Sequence, residues 1–252
     1  EKRYDSFKLN TQSGTFNRGE IIGILGANAV GKTTFMKMIA GLEAPDSGRV
    51  STSAKISYKP QYLSSELDTD VQSFLVGISA EKMTSGLIYS QIVVPLALPK
   101  LFERNLSELS GGELQKVAVT ACLLRDADVY ALDEPSAFMD VEDRIVLARA
   151  LQRFVRSEGR SALIIDHDIQ LIDIVSDSLL IFEGEPGIHG TVSSPLAKGE
   201  GMNWFLSRLG ITYRRDIQSG RPRVNKPGSK LDREQKGNST YYYLARATAS
   251  EI

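Results

Sequence analysis

The sequence has little of several features that define whole classes of protein. Its 252 residues include one cysteine, Cys122, which excludes an internal disulfide and any cysteine-ligated zinc or iron–sulfur site built from this chain alone. Its longest apolar run is the eight residues 92–99, which include two prolines, whereas a bilayer span needs about 20 residues. The charged first residues lead into no apolar core of the kind found in secretory signals. We therefore expect a cytoplasmic protein with no membrane segment.

The charge is nearly balanced overall but is uneven along the chain. There are 30 Lys/Arg and 31 Asp/Glu in total, yet residues 208–246 contain ten Lys/Arg and only three Asp/Glu. Such a basic segment favours an anionic partner, such as nucleic acid, or an acidic neighbouring surface. A solvated tail is the simpler alternative. Pro222, Pro227 and the three tyrosines at 241–243 argue against it, because they favour an ordered, packed segment.

Three continuous apolar runs predict strands that are buried on both faces, as in a parallel sheet. A turn and then a helical pattern follow each run, which indicates α/β architecture. Residues 7–10 and 48–58 predict short antiparallel strands in a flanking layer, and residues 64–127 have the patterns of an inserted helical lobe. The three runs are residues 21–25, 129–132 and 162–165, and the helical patterns are residues 33–40, 141–157 and 169–176.

The strongest motif is GANAVGKTT at residues 26–34, which fits the phosphate-binding pattern G-x-x-x-x-G-K-[ST]. It follows a predicted buried strand and opens a helix, so that successive N–H groups and the helix N-terminus face an anion. Lys32 would then reach the terminal phosphates, and Thr33 would hold Mg²⁺. The alternative is a glycine-rich turn with a solvated lysine. The predicted nucleotide-binding residues of this loop are Asn28, Ala29, Val30, Gly31, Lys32, Thr33 and Thr34.

A second signal is the apolar run 129–132, which ends in Asp133 and Glu134. A buried strand that delivers carboxylates at its carboxyl end places them in the crevice where an α/β sheet binds its ligand. Asp133 is suited to Mg²⁺, and Glu134 is suited to polarising the attacking water. Taken alone, the pair could equally be a helix cap.

A third motif is LSGGE at residues 109–113, at the start of the predicted helix that ends near residue 125. Ser110 and Glu113 have the spacing of a capping box, which is the simplest interpretation. Gly111 and Gly112 add something that a cap does not require, because each glycine costs a helix about 1 kcal/mol. Close approach of the backbone to a phosphate would require them.

These motifs, with His167 after the next predicted strand, occur in the order found in ATP-binding cassette ATPases, and the sequence resembles that family over residues 5–200. The resemblance implies a P-loop NTPase fold with a mostly parallel core sheet, an antiparallel β layer and a helical lobe. It also implies that two cassettes pair head to tail around two ATP molecules. Each ATP would lie between one phosphate loop and the other cassette's Ser110, Gly111 and Gly112. Hydrolysis by this cassette alone should then be weak.

The resemblance also assigns roles to single residues. Gln61 would contact Mg²⁺ and couple to the helical lobe, residues 136–140 would cross between the cassettes, and His167 would lie near the γ-phosphate. Lys32, Glu134 and His167 are the implied catalytic set, with Thr33, Gln61 and Asp133 at the metal. The adenine-stacking aromatic is Tyr4 or Phe7, and the sequence does not choose between them. Ala29 departs from the family's usual glycine, so we expect its φ to be negative.

The C-terminal segment narrows the family. Its sequence closely resembles the end of the RNase L inhibitor family, subfamily E, which are soluble twin-cassette ATPases that recycle ribosomes. This implies the second cassette of a longer polypeptide, with three partners: the other cassette, the small ribosomal subunit, and rRNA through the basic segment. The residues that carry this resemblance are 201–206, 211–216, 221–226 and 231–236.

The predicted organisation is a single nucleotide-binding domain. Residues 1–63 and 128–200 form its core lobe, residues 64–127 its helical lobe, and residues 201–252 a basic, hinge-like segment. The main alternative is the ATPase subunit of a membrane transporter, which shares every catalytic motif. A nucleotide-binding module without turnover is a second alternative, against which the presence of both Glu134 and His167 argues.

Overall fold

The computed structural model describes residues 1–51, 53–61, 68–84, 86–216 and 222–243. Its contacts divide the chain into two compact units, residues 1–195 and 196–252. The predicted lobe boundary at residues 63 and 64 lies outside the described residues, as do residues 217–221 and 244–252 of the basic segment. The two units are described separately below.

The first unit is built on one mixed sheet. Along it the strands follow the order β1-β2-β8-β7-β3-β6-β5-β4. Neighbours from β7 through β3, β6 and β5 to β4 pair in parallel, whereas β1–β2 and β7–β8 are antiparallel. The strands are β1 (Lys2–Arg3), β2 (Lys8–Thr11), β3 (Ile21–Gly26), β4 (Ile56–Lys59), β5 (Val129–Asp133), β6 (Ser161–Ile165), β7 (Ser178–Glu185) and β8 (His189–Val192).

The continuous apolar runs form the centre of this sheet, as predicted. Every residue of β3, β5 and β6 is buried, which is why these strands lack the alternation of a sheet with one wet face. The helices that follow them are α1 (Lys32–Ile39), α6 (Val141–Ser157) and α7 (Ile169–Val175). The three predicted strand–helix units are therefore confirmed, with small shifts at their ends.

The antiparallel strand predicted at residues 48–58 is wrong. The turn at Gly48 is present, with φ +79°, but the strand that follows is only β4, and it pairs in parallel with β5. The chain crosses over from β3 through α1 to β4 instead of folding back as a hairpin, and such a crossover gives parallel strands.

A run of helices connects β4 to β5, as the sequence predicts. Asp70 caps α2 by accepting a 2.8 Å hydrogen bond from the Ser73 N–H, and α5 packs on α2 and on β4 and β5. Among the helices in the described part of the chain, none combines the length and apolarity needed to cross a membrane. The elements are α2 (Val71–Ile78), α3 (Ala80–Thr84), α4 (Gly86–Ile88), a π-helical turn (Tyr89–Val93), 3₁₀ turns (Leu98–Leu101 and Leu106–Glu108) and α5 (Gly111–Leu124).

The second unit is small and contains a cluster of buried polar groups beside its buried apolar residues. The Thr212 hydroxyl donates a 2.6 Å hydrogen bond to the carboxylate of Asp232, which lowers the pKa of that carboxyl group. Asn225 donates to Thr212 and to Gln235 within the same buried cluster. The described part of the basic segment is therefore folded and is not a solvated tail. Its elements are β9 (Leu196–Ala197), α8 (Lys198–Leu209), β10 (Tyr213–Arg215), β11 (Pro222–Val224), α9 (Lys230–Gly237) and β12 (Tyr242–Tyr243).

Candidate active site

A cavity of about 590 Å³ opens at the carboxyl ends of the central strands, where β3 turns into α1. The turn depends on glycine at Gly26, because a Cβ there would lie 2.6 Å from the Phe182 carbonyl oxygen. Most of the predicted phosphate loop and the acidic end of β5 meet at this cavity. Its lining residues are Ser6, Phe7, Asn28, Ala29, Gly31, Lys32, Thr33, Thr34, Gln61, Asp133, Glu134, Ile165, His167 and Gly187.

Lys32 is held inside the loop that it belongs to. Its side chain is buried, and Nζ donates hydrogen bonds of 3.0 Å to the Gly26 carbonyl and 2.5 Å to the Ala27 carbonyl. Burial lowers the pKa of this amine. Gly31 precedes α1, and no side chain caps that helix within the described part of the chain. The first-turn N–H groups and the ammonium are thus a cradle that suits an anion.

Thr33 and Asp133 provide the oxygen donors that Mg²⁺ prefers. The Thr33 hydroxyl donates a 2.8 Å hydrogen bond to Asp133 Oδ2. The Asp133 carboxyl group is almost fully buried, and burial raises its pKa, although the hydrogen bond from Thr33 opposes that rise. A buried carboxylate beside a hydroxyl in a phosphate-binding cavity is a donor set that fits a magnesium ion.

The Glu134 carboxylate lies between the side chains of Gln61 and His167, both of which the sequence predicts at this site. Gln61 Nε2 donates a 2.8 Å hydrogen bond to Glu134 Oε2, and His167 Nε2 lies 3.2 Å from Glu134 Oε1. The backbone of Glu134 has φ +47°, in the left-handed region. A non-glycine residue in this conformation costs about 1–2 kcal/mol, and such strain is found most often at functional sites.

The predicted capping box at the start of α5 is confirmed. The Ser110 hydroxyl accepts from the Glu113 N–H at 3.4 Å, and Glu113 Oε2 accepts from the Ser110 N–H at 2.8 Å. Within the described part of the chain, Ser110, Gly111 and Gly112 are not among the residues that line the cavity around Lys32.

The family described as "ABC transporter" matches residues 9–137. The chain belongs to the ABC family. It is an ATPase domain of that family, with the mixed α/β cassette fold that the sequence predicts.

Two curated relatives match almost the whole of this ABC domain. An uncharacterized ABC transporter ATP-binding protein of Methanocaldococcus jannaschii is 47% identical over 97% of the chain, which covers 41% of that relative. The translation initiation factor RLI1 of Chaetomium thermophilum is 37% identical over 100% of the chain and 41% of its own length. The chain thus spans about two fifths of the curated relatives that it matches.

Two solved structures are similar to this chain over nearly its whole length. One is titled RNase-L Inhibitor and has a TM-score of 0.93 at 48% identity, over 97% of this chain and 47% of that one. The other is a complex of the archaeal ribosomal stalk protein aP1 with the archaeal ribosome recycling factor aABCE1. It also has a TM-score of 0.93 at 48% identity, over 96% of this chain and 47% of that one.

Tyr4 and Phe7, the two candidates for stacking on adenine, occupy different positions in the structure. Phe7 lines the cavity, and its ring lies so close to Gly31 that a Cβ there would be 2.9 Å from the ring tip. Tyr4 donates its hydroxyl hydrogen to the Glu43 carboxylate, and its ring centroid is 6.5 Å from that of Phe7. Of the two, Phe7 is therefore the one that the described cavity includes.

The expectation of a negative φ at Ala29 is wrong. Its φ is +58°, at a cost of about 1–2 kcal/mol for a residue with a Cβ. The β7–β8 hairpin holds the loop in this conformation, since the Gly187 N–H donates a 2.9 Å hydrogen bond to the Ala29 carbonyl. Gly190 packs so closely that a Cβ there would be 2.0 Å from the Val30 carbonyl oxygen.

Gly112 has a packing role that can be tested on its own. A Cβ at this position would lie 2.8 Å from the Phe138 carbonyl oxygen, so we expect Gly112→Ala to destabilise the domain by about 1–3 kcal/mol. The matched control is Gly77→Ala within α2, where a Cβ meets no atom within 4 Å. That change should stabilise the domain by up to about 1 kcal/mol. Denaturant midpoints measure both, and a gain in stability from Gly112→Ala would contradict the clash.

Two buried polar residues at this site, Lys59 and Gln115, belong to no recognisable motif in the sequence. Lys59 Nζ donates hydrogen bonds of 2.9 Å to the Pro60 carbonyl and 3.0 Å to the Asp133 carbonyl, and burial lowers the pKa of its amine to about 8. Gln115 on α5 donates a 2.8 Å hydrogen bond from Nε2 to the Gln61 carbonyl. A lysine at the end of a short strand and a glutamine in a helix are common on surfaces, so neither gave a signal.

Proposed function

We propose that Glu134 orients and deprotonates the water that attacks the γ-phosphate of ATP bound in this cavity. The observation that carries the proposal is the position of its carboxylate, between Gln61 Nε2 and His167 Nε2 and on the same cavity as Lys32. A carboxylate held by two polar side chains beside a phosphate cradle suits a general base.

The other residues of the cavity bind different parts of ATP and its magnesium ion. The loop N–H groups and Lys32 hold the phosphates, and Phe7 contacts the base. Thr33 and Asp133 would hold Mg²⁺, with Gln61 beside them, and the ion would neutralise charge on the phosphates when bound. His167 is placed to contact the γ-phosphate, because it lies on the cavity wall beside Glu134.

We further infer that the site is completed by a second cassette of the same polypeptide. Ser110, Gly111 and Gly112 begin a helix whose N-terminus suits a phosphate, yet they are not described among the residues around Lys32. Contact between these residues and the ATP bound by a partner cassette would account both for the helix N-terminus and for its absence from the cavity around Lys32. The exposed residues 138 and 141, an apolar pair beside this helix start, suit the same interface. The fraction of its relatives that the chain covers, about two fifths, leaves room for a second cassette.

The biological role that we propose is ribosome recycling in the cytoplasm, as the second cassette of a twin-cassette ATPase. ATP-driven closure of the two cassettes would split the ribosome and leave the protein on the small subunit. Support comes from the relative named as a translation initiation factor and from the structure titled as a ribosome recycling factor. The second unit adds exposed cations suited to rRNA or to the partner cassette, namely Arg214, Arg223, Lys226, Lys230 and Arg233.

The test is to fractionate the full-length polypeptide carrying Glu134→Gln across ribosomal subunits, membranes and free cytosol, with and without ATP. We expect ATP-dependent trapping on the small subunit. The matched control adds Lys32→Ala to the same protein, which weakens ATP binding and should reduce trapping when ATP is limiting. Recovery with membranes would support the transporter alternative, and absence from ribosomes in both states would reject the recycling role.

A further inference from the structure

Lys59 is a buried cation at the edge of the candidate site. It is the last residue of β4 and directly precedes Pro60 and Gln61. Its side chain is among the largest that are fully buried in the described part of the chain. It does not line the ATP cavity itself. A buried ammonium is costly unless it is paired and hydrogen-bonded, so its position needs an explanation.

One hydrogen bond of Lys59 holds the peptide unit that precedes the Glu134 side chain. Nζ donates to the Asp133 carbonyl oxygen at 3.0 Å. The N–H of the same peptide unit belongs to Glu134 and donates to the Ile165 carbonyl at 2.8 Å. The peptide between Asp133 and Glu134 is therefore held at both of its polar ends, by β4 on one side and by β6 on the other.

These hydrogen bonds act where the backbone conformation is unfavourable. Glu134 has φ +47°, a conformation that its neighbours must enforce because the residue has a Cβ. Nζ also donates to the Pro60 carbonyl at 2.9 Å, which fixes the chain one residue before Gln61. One amine thus anchors both main-chain segments from which Gln61 and Glu134 extend towards each other.

We propose that Lys59 is a positioning residue for ATP hydrolysis, which holds the peptide before Glu134 and the chain before Gln61 so that the two side chains meet. The inference rests on the proposed function of Glu134. Lys59 has no described hydrogen bond to the phosphate loop, and it contacts the main-chain carbonyl of Asp133 rather than the carboxylate suited to Mg²⁺. Its effect should therefore fall on hydrolysis much more than on ATP affinity.

The experiment compares Lys59→Met, which has no donor, with Lys59→Gln, which keeps a neutral N–H donor. ATP affinity is measured by nucleotide titration, and hydrolysis is measured in single turnover at one protein concentration. We expect Lys59→Met to slow hydrolysis about 10- to 100-fold, as small displacements of a catalytic group do, with ATP affinity within about twofold of wild type. Lys59→Gln should recover part of the rate. The matched control is Lys55→Met, an exposed lysine paired with Asp126, which should retain the wild-type rate.

A double variant separates positioning from general damage to the fold. If Lys59 acts through Glu134, adding Lys59→Met to Glu134→Gln should slow hydrolysis by less than about twofold further, since residues that act as one unit are not additive. Full additivity would overturn the inference. So would an unchanged rate in Lys59→Met, or equal losses of rate and ATP affinity. If Lys59→Met does not fold, Lys59→Gln replaces it in both measurements, and equal losses of rate and ATP affinity, or full additivity with Glu134→Gln, overturn the inference. If Glu134→Gln alone hydrolyses at the wild-type rate, the proposed role of Glu134 fails first.

Discussion

Replacing Glu134 with glutamine is expected to leave ATP binding intact and to slow hydrolysis by about 10²- to 10⁴-fold. The amide has nearly the same shape as the carboxylate, so it can keep the 2.8 Å hydrogen bond from Gln61 Nε2. It has no basic oxygen with which to take a proton from water. The phosphate cradle around Lys32 is untouched, which is why binding should survive when hydrolysis does not.

The measurement pairs nucleotide titration with a hydrolysis assay at several protein concentrations, because the active site is proposed to need a second cassette. The matched control is Glu142→Gln, an exposed carboxylate in the first turn of α6, which should hydrolyse ATP at the wild-type rate. A Glu134→Gln variant with normal turnover would remove Glu134 from the chemistry. A variant that also lost ATP affinity would show a binding role instead.

The parts of the fold that could be predicted from the sequence are those whose signal is local. β3, β5 and β6 are buried on both faces, so their apolar runs are continuous and easily recognised. The direction of β4 is not predictable in this way, because Ile56–Lys59 alternates between half-buried and buried positions, as an edge strand of either direction would. Its direction is set by β5, about 70 residues later in the chain, and no local pattern records that pairing.

The same distinction applies to the site. The phosphate loop is predictable because its functional residues have a fixed spacing within one short segment. The acidic end of β5 is predictable because its two carboxylates directly follow a continuous apolar run. Ala29 was misjudged because its positive φ depends on a hydrogen bond from Gly187, in a distant hairpin. Lys59 has no sequence signal because its amine is satisfied by main-chain carbonyl groups at the ends of two strands that are far apart in the chain. Residues proposed to act directly on ATP can be recognised from the sequence, whereas those proposed to hold them in place depend on tertiary contacts.

Replacing Lys32 with alanine should have the opposite effect to the Glu134 change and remove useful ATP affinity. Hydrogen bonds to charged groups contribute about 1.5–3 kcal/mol, and tenfold in affinity corresponds to about 1.4 kcal/mol. We therefore expect ATP to bind about 10- to 100-fold more weakly, as measured by nucleotide titration.

The stability of the fold should change much less than the affinity, which makes the effect of Lys32→Ala specific. Lys32 is buried, and burial lowers the pKa of its amine, so removing the amine relieves a desolvation cost. Against this, the Gly26 and Ala27 carbonyls lose a donor, and the two terms oppose each other. Lys37→Ala is the matched control, since it removes an exposed lysine from the same helix and should leave ATP affinity unchanged. Wild-type ATP affinity in Lys32→Ala would show that the loop does not bind the phosphates through this amine.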